Sequence, residues 1–160
     1  RLAAEGSSAG GLLMGAVANL APDQFRAIHA DVPFVDALTT ILRPELPLTV
    51  GEWEEWGNPI DSPEIYEYMR SYSPTENVVE AEYPAVLATT SFNDIRVFYV
   101  EPTKWVQILR ERSSNDPIAR PILEQIEMAA GHGGKLGRYD RWDKQSFELA
   151  WILDQIGATE

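Results

Sequence analysis

Short apolar runs alternating with helix-like segments predict an α/β domain: a mostly parallel sheet flanked by helices. Three segments carry that expectation. Gly10–Leu20 (GGLLMGAVANL) is almost wholly apolar or small and directly follows a strand-like opening, which fits a buried helix. Ala85–Ser91 (AVLATTS) has the short apolar character of a strand covered on both faces. Arg138–Ile156 places Trp142, Leu149, Leu153 and Ile156 at helical spacing, an amphipathic helix that closes the chain.

The remaining elements follow in order. Residues 1–5 read as the end of a strand, and Pro22 stops the first helix. Phe25–Asp31 (FRAIHAD) alternates loosely and meets Pro33, so it reads as a strand ending in a loop. Residues 36–62 are long and rich in Pro, Gly, Glu and Trp, which predicts a functional surface loop broken by short helical turns. Ser62-Pro63 opens a short helix to about Tyr72, with proline suited to the first helical position. Pro102 starts a helix through about Arg112, and Ile122–Met128 reads as another strand. No internal repeat or low-complexity segment interrupts the pattern.

Composition narrows the class. The 160 residues are 44% hydrophobic with five tryptophans, ample for a core. A net charge of −12, from 25 acids against 13 bases, excludes nucleic acid as a natural partner and weakly favours cationic ligands. No run approaches a membrane span, so no membrane partner is expected. Cysteine is absent, which removes disulfides and thiolate metal sites and agrees with a reducing, cytoplasmic setting. The opening Arg1-Leu2-Ala3-Ala4-Glu5 carries no initiator methionine and no signal pattern, as expected of a chain cut inside a domain. Targeting is therefore not readable from it.

The chemistry begins at Gly6-Ser7-Ser8-Ala9-Gly10, a G-x-S-x-G between a strand end and a helix start. Small flanking residues let the backbone turn sharply, so that the Ser8 hydroxyl projects from the corner. The Ala9 N–H then points where an oxyanion would form, at the positive end of the helix. The competing reading is a chance Gly/Ser turn. A serine needs a base, and the base an orienting acid. Of two histidines, His29 lies within a strand and reads as a core or edge residue. His132 lies in a glycine turn, Ala130-Gly131-His132-Gly133-Gly134, directly after a strand. Asp94 follows the strand AVLATTS. The order Ser8…Asp94…His132, each at the end of a successive strand, is the order of α/β-hydrolases. The fold class expected is thus the C-terminal half of an α/β-hydrolase fold, with residues 1–160 a partial domain that begins at the nucleophile strand.

Several segments together resemble a known family. They are GSSAGGLLMG (6–15), DVPFVD (31–36), LTVGEWEEWGNP (48–59), NDIRV (93–97) and GHGGK (131–135). They look like the catalytic domain of the oligopeptidase B group in the prolyl oligopeptidase family of serine peptidases, and the resemblance covers essentially the whole chain. It implies an endopeptidase that cuts short peptides after Arg or Lys, by acyl transfer with Ser8 as nucleophile, His132 as base and Asp94 as orienting acid, without metal or organic cofactor. It also implies that Glu52 and Glu54 bind the basic side chain. That agrees with the need of a guanidinium for carboxylates, although GEWEEW alone also reads as a solvated acidic loop. Phe34 is implied as an apolar wall for the side-chain stem, where ordinary core is the other reading. Arg96 is implied as a holder of a substrate carbonyl, with an ion pair to a neighbouring acid as the alternative.

The chain departs from that family in two ways. The β-propeller and the earlier hydrolase strands, including a tyrosine that gives a second oxyanion contact, have no counterpart in these residues. Ser7 stands where many relatives have a basic residue. The omission predicts an exposed hydrophobic sheet edge, hence self-association or pairing with the remainder of the protein. Two further readings stay open: a broader α/β-hydrolase (esterase or aminopeptidase), and a catalytically incomplete, inactive fragment.

Overall fold

Four parallel strands form the centre of the domain in the order β1-β2-β3-β4, seen in a computed structural model that describes residues 1–158. They are β1 (Ala3–Ser7), β2 (Ala27–Asp31), β3 (Ala85–Ser91) and β4 (Ile122–Glu127). The register pairs Ala3 with Ala27, Ala27 with Ala85 and Val86 with Ile122. Every residue of β3 is buried, as its apolar sequence predicts, because neighbouring strands and covering layers leave it no solvent face. β1 has a strand on one side only among the described residues. It carries small and polar residues there, not the hydrophobic edge expected: Glu5 and Ser7 are exposed.

Two helices cover one sheet face. These are α1 (Ala9–Leu20) and α5 (Val100–Arg112). Met14 and Ala18 of the first and Trp105, Val106 and Leu109 of the second pack on Ile28, Ala30, Val86, Ala88 and Ile122. α1 comes close to its neighbours because it is glycine-rich. A Cβ at Gly11 would lie 2.5 Å from Pro33, and one at Gly15 would lie 2.7 Å from Pro74. α5 begins at Val100, so that Pro102 lies within the first helical turn, where its missing N–H costs nothing.

The loop expected over residues 36–62 is an arm built from two helices, α2 (Ala37–Ile41) and α3 (Thr49–Trp56), followed by α4 (Pro63–Tyr72). Ser62 caps α4 by accepting from the Ile65 N–H at 3.3 Å, with Pro63 in the first turn. A second small core of Leu12, Phe34, Leu38, Ile41, Met69 and Val97 holds the arm to the sheet. Within it, Trp53 Nε1 donates to the Ile41 carbonyl at 3.1 Å.

The last helix, α6 (Arg138–Gln155), forms where the sequence predicts it but faces otherwise. Trp142, Leu149 and Leu153 are exposed, and Glu148 is its one buried residue. The reason lies beneath it. β2 presents His29 and Asp31 to that side, and Lys144 of α6 bonds Asp31 at 2.7 Å, so a polar stripe turns inward and the apolar one outward. No helix among the described residues is long and apolar enough to cross a membrane.

Trp105 is the largest fully buried side chain. Trp105→Ala is expected to destabilise the domain by about 3–5 kcal/mol, measured as the shift in the denaturant midpoint at unchanged slope.

Candidate active site

β1 ends in a backbone corner that few residues adopt. Ser8 has φ 57° and ψ −118°, and among the described residues it is one of two non-glycine residues with positive φ, the other being Val32 at 38°. Such a conformation costs about 1–3 kcal/mol and persists only when its surroundings fix it. Here the Ser8 N–H donates to the Asp31 carbonyl at 3.0 Å, extending the strand ladder. The Ser8 carbonyl accepts from Gly11, Leu12 and Phe34 at 2.9, 3.2 and 3.0 Å. Gly6 is obligatory, since a Cβ there would run into the Gly10 carbonyl, whereas a Cβ at Gly10 meets nothing within 4 Å. The two glycines of the motif therefore differ: the first makes room for the helix, and the second is dispensable for space. As the first residue of α1, Ala9 has an N–H that no carbonyl of the helix can accept.

Beyond β3 and β4, two loops are stitched side by side. Phe92 N–H donates to the Glu127 carbonyl at 2.8 Å, and Asn93 N–H to the Ala130 carbonyl at 3.2 Å. The loop after β4 closes as a turn in which Gly134 N–H donates to the Gly131 carbonyl at 3.0 Å, with Gly134 at φ 72°. This turn presents His132 to Asp94, and Nδ1 lies 2.7 Å from Asp94 Oδ2. Oδ1 of the same carboxylate accepts the N–H groups of Arg96 and Val97 at 2.8 and 3.0 Å. Asp94 is thus locked by its own loop and accepts from the ring, which places the proton on Nδ1 and leaves the Nε2 lone pair free. No hydrogen bond among the described residues joins Ser8 to His132.

A cavity of about 120 Å³ opens beside the corner, lined in part by Ser8, Ala9, Phe34, Glu52, Trp56 and Arg96. Its size suits one side chain, not a whole peptide. Five residues singled out in the sequence therefore converge, whereas Glu54 does not. Two residues on from Glu52 in α3, it points to the opposite side of the helix and is exposed. Burial pushes the Glu52 carboxyl up, with the charge of Glu55 adding to it. A cation entering the cavity would reverse that shift. Arg96 is exposed and belongs to none of the ion pairs among the described residues. His29 is wholly buried, with Nε2 3.0 Å from Thr89 Oγ1, as its place in a strand predicts.

Two features escaped the sequence. Thr40, Thr49 and Trp56 line the cavity. Glu101 is buried behind the site, accepting from Asp36 N–H at 3.0 Å and Thr40 Oγ1 at 2.7 Å. Burial pushes its carboxyl up to about 7 against the pull of those donors, and Asp36 and Asp94 add to the rise. An acid in the first turn of a helix is so usual that nothing in the sequence marked this one. Ligating atoms of His29, Asp31 and Glu148 also lie within 4.8 Å of one another. Lys144 Nζ sits 2.7 Å from Asp31 and 3.4 Å from Glu148, however, and supplies the positive charge those acids require.

Comparisons with known proteins show the family to which the chain belongs. The profile of the prolyl oligopeptidase family matches residues 1–159. The chain is 46% identical over 157 residues to Protease 2 of Moraxella lacunata, covering 98% of this chain and 22% of that protein. It is 45% identical over 157 residues to dipeptidyl aminopeptidase BI of Pseudoxanthomonas mexicana, covering 98% of this chain and 21% of that protein. Oligopeptidase B from Leishmania major superposes with a TM-score of 0.94 at 46% identity, over 99% of this chain and 22% of that one. Oligopeptidase B from Trypanosoma brucei, with covalently bound antipain in its closed form, gives the same TM-score and coverage at 41% identity. The chain spans about a fifth of the length of these relatives.

Gly6→Ala is expected to lower the melting temperature, while Gly10→Ala leaves it unchanged or raises it, as alanine does inside a helix. Equal losses at the two positions would contradict the geometry of the corner. Glu101 gives a pH signature. With its folded-state pKa raised from 4.5 to about 7, its contribution to stability is full below about pH 4.5 and is lost as pH rises through 7. Glu101→Gln should therefore stabilise the protein at pH 8 by up to about 3 kcal/mol and do little at pH 4, read from unfolding curves across pH.

Proposed function

Because the chain belongs to the prolyl oligopeptidase family, we propose that it carries the catalytic triad and basic-residue pocket of a serine endopeptidase that cuts short peptides after Arg or Lys. The observation that carries this reading is the convergence on one corner. Asp94 holds His132 at 2.7 Å, and the strained Ser8 opens on a cavity whose other wall bears Glu52.

The chemistry follows from those positions. Substrate binding brings Ser8 Oγ within reach of His132 Nε2, which takes the hydroxyl proton as Oγ attacks the carbonyl carbon. Asp94 keeps the ring in the Nδ1–H form and stabilises the imidazolium that results. The oxyanion lies against the Ala9 N–H, where the start of α1 adds its positive end; one such donor is worth about 10²–10³ in turnover. His132 then returns the proton to the leaving amine, the C–N bond breaks and Ser8 holds the acyl group. Water, deprotonated by the same nitrogen, releases it. The Trypanosoma brucei relative holds antipain covalently, which supports a covalent step.

Glu52 selects the substrate. A carboxylate half out of water binds a guanidinium or ammonium well, because the charges meet with little hydration left to lose. Phe34 walls the alkyl stem, and Arg96, in no ion pair among the described residues, donates to a substrate carbonyl. Glu54 has no part in this pocket as the helix now stands, so Glu52 carries the preference.

A second reading, an aminopeptidase with the same triad, is favoured by the likeness to dipeptidyl aminopeptidase BI. Substrates with a blocked N-terminus separate the two, since an endopeptidase accepts them and an aminopeptidase does not. The test is hydrolysis of N-blocked Arg and norleucine chromogenic amides by the longest protein that carries this chain. Arg should be preferred. Ser8→Ala should abolish turnover, and Asp94→Asn should lower kcat about 10⁴-fold. Glu52→Gln should cut kcat/KM for Arg about 10–100-fold and leave norleucine within about twofold. Turnover that survives Ser8→Ala, or an Arg preference that survives Glu52→Gln, would overturn the reading.

A further inference from the structure

Helix α5 buries a carboxylate that the chemistry above does not use. Glu101 is 2% exposed, and both of its oxygens are committed to the arm over the cavity. Oε2 accepts the Asp36 N–H and Oε1 the Thr40 hydroxyl, so one side chain grips both ends of the five-residue α2. No side chain of α2 caps its own first turn: Ser73 Oγ takes the Leu38 N–H at 3.3 Å, and Glu101 takes the N–H of Asp36, the residue that precedes the helix. The nearby cation does not neutralise Glu101. Lys104 Nζ is bound to both Asp36 oxygens, at 3.0 and 2.9 Å. Burying a carboxylate without a bonded cation is unfavourable.

From α2 the connection runs on to the cavity. The Thr40 carbonyl accepts the hydroxyl of Thr49, the first residue of α3, at 3.0 Å, and the Ile41 carbonyl accepts Trp53 Nε1 at 3.1 Å. Glu52 lies between those two anchored residues. Phe98, whose carbonyl accepts the Glu101 N–H at 2.9 Å, lines the same cavity. Among the described residues, the side-chain hydrogen bonds that tie α3 to the rest of the fold pass through α2.

We propose that Glu101 is a positioning residue for substrate choice: by clamping α2 it fixes α3 and sets Glu52 opposite Ser8. The proposal rests on the reading of Glu52 as the acceptor of a basic side chain. Glu101 touches no substrate, so its loss should weaken recognition of the basic residue and leave bond-breaking alone.

The experiment compares Glu101→Leu, Glu101→Gln and Trp53→Phe on blocked Arg and norleucine amides, with hydrogen exchange of amides 49–56 measured alongside. Glu101→Leu is expected to raise KM for the Arg amide about tenfold, the size of one charge-assisted hydrogen bond, at nearly constant kcat. Norleucine hydrolysis should stay within about twofold, and amides 49–56 should exchange faster. Glu101→Gln keeps an acceptor for the Asp36 N–H and should restore both readouts. Trp53→Phe, at a residue that does not line the cavity, removes the bond from α3 to the Ile41 carbonyl while leaving the carboxylate in place, and should shift them the same way if Glu101→Leu does not fold. Equal losses on both amides, or a Glu101→Gln that behaves like Glu101→Leu, would overturn the proposal. An Arg preference in the unsubstituted protein that survives Glu101→Leu sinks the proposal alone. No Arg preference in the unsubstituted protein sinks the Glu52 reading first, and the proposal with it.

Discussion

One backbone corner governs the arrangement of this domain. Ser8 is held at φ 57° only because its N–H continues the ladder to Asp31 while its carbonyl takes three donors, two from α1 and one from Phe34. The same contacts seat α1 against Pro33, leave the Ala9 N–H unpaired at the helix start and bring Phe34 to the cavity wall. Val32, the second strained residue, precedes Pro33 and sits at the end of the neighbouring strand. Local strain is thus concentrated where two strands end together, and the rigid sheet beneath, with β3 wholly buried, is what maintains it.

The site has two parts of different mechanical character. Ser8, Asp94 and His132 stand on loops stitched to strand ends by backbone hydrogen bonds, so their positions follow the sheet. Glu52 stands on an arm tied down by a small apolar cluster and by polar contacts that include the bonds from Glu101 through Thr40 and Thr49 and the bond from Trp53 to Ile41. A fold of this kind can keep its chemistry constant while its choice of side chain depends on a few polar contacts. Two carboxyls at this junction, Glu52 on the arm and Glu101 on α5, are pushed upward by burial.

Much of this was legible in the sequence because the signals are local. Pro63 after Ser62, the apolar run 85–91 and the glycines around Ser8 and His132 each impose a conformation on their own neighbours. The order Ser8, Asp94, His132 pointed to three residues that lie beyond the ends of β1, β3 and β4. What failed depended on distant partners. The stripe of Trp142, Leu149 and Leu153 reads as a core face, yet His29 and Asp31 on β2 draw Lys144 and Glu148 inward. Glu52 and Glu54 read alike in GEWEEW, where a loop is expected. Once a helix spans 49–56, residues two apart must diverge. Glu101 could not be distinguished from any acid that begins a helix, since only the tertiary fold buries it.

The central claim is that Ser8 is the activated nucleophile of a pocket that prefers a positive side chain. Its most direct measurement is mass mapping of the protein after treatment with a phosphonate ester bearing an arginine side chain, beside a norleucine counterpart. The account predicts a single adduct on Ser8, formed faster with the basic reagent and absent in Asp94→Asn over the same interval. An adduct on another residue, or equal rates for the two reagents, would contradict it.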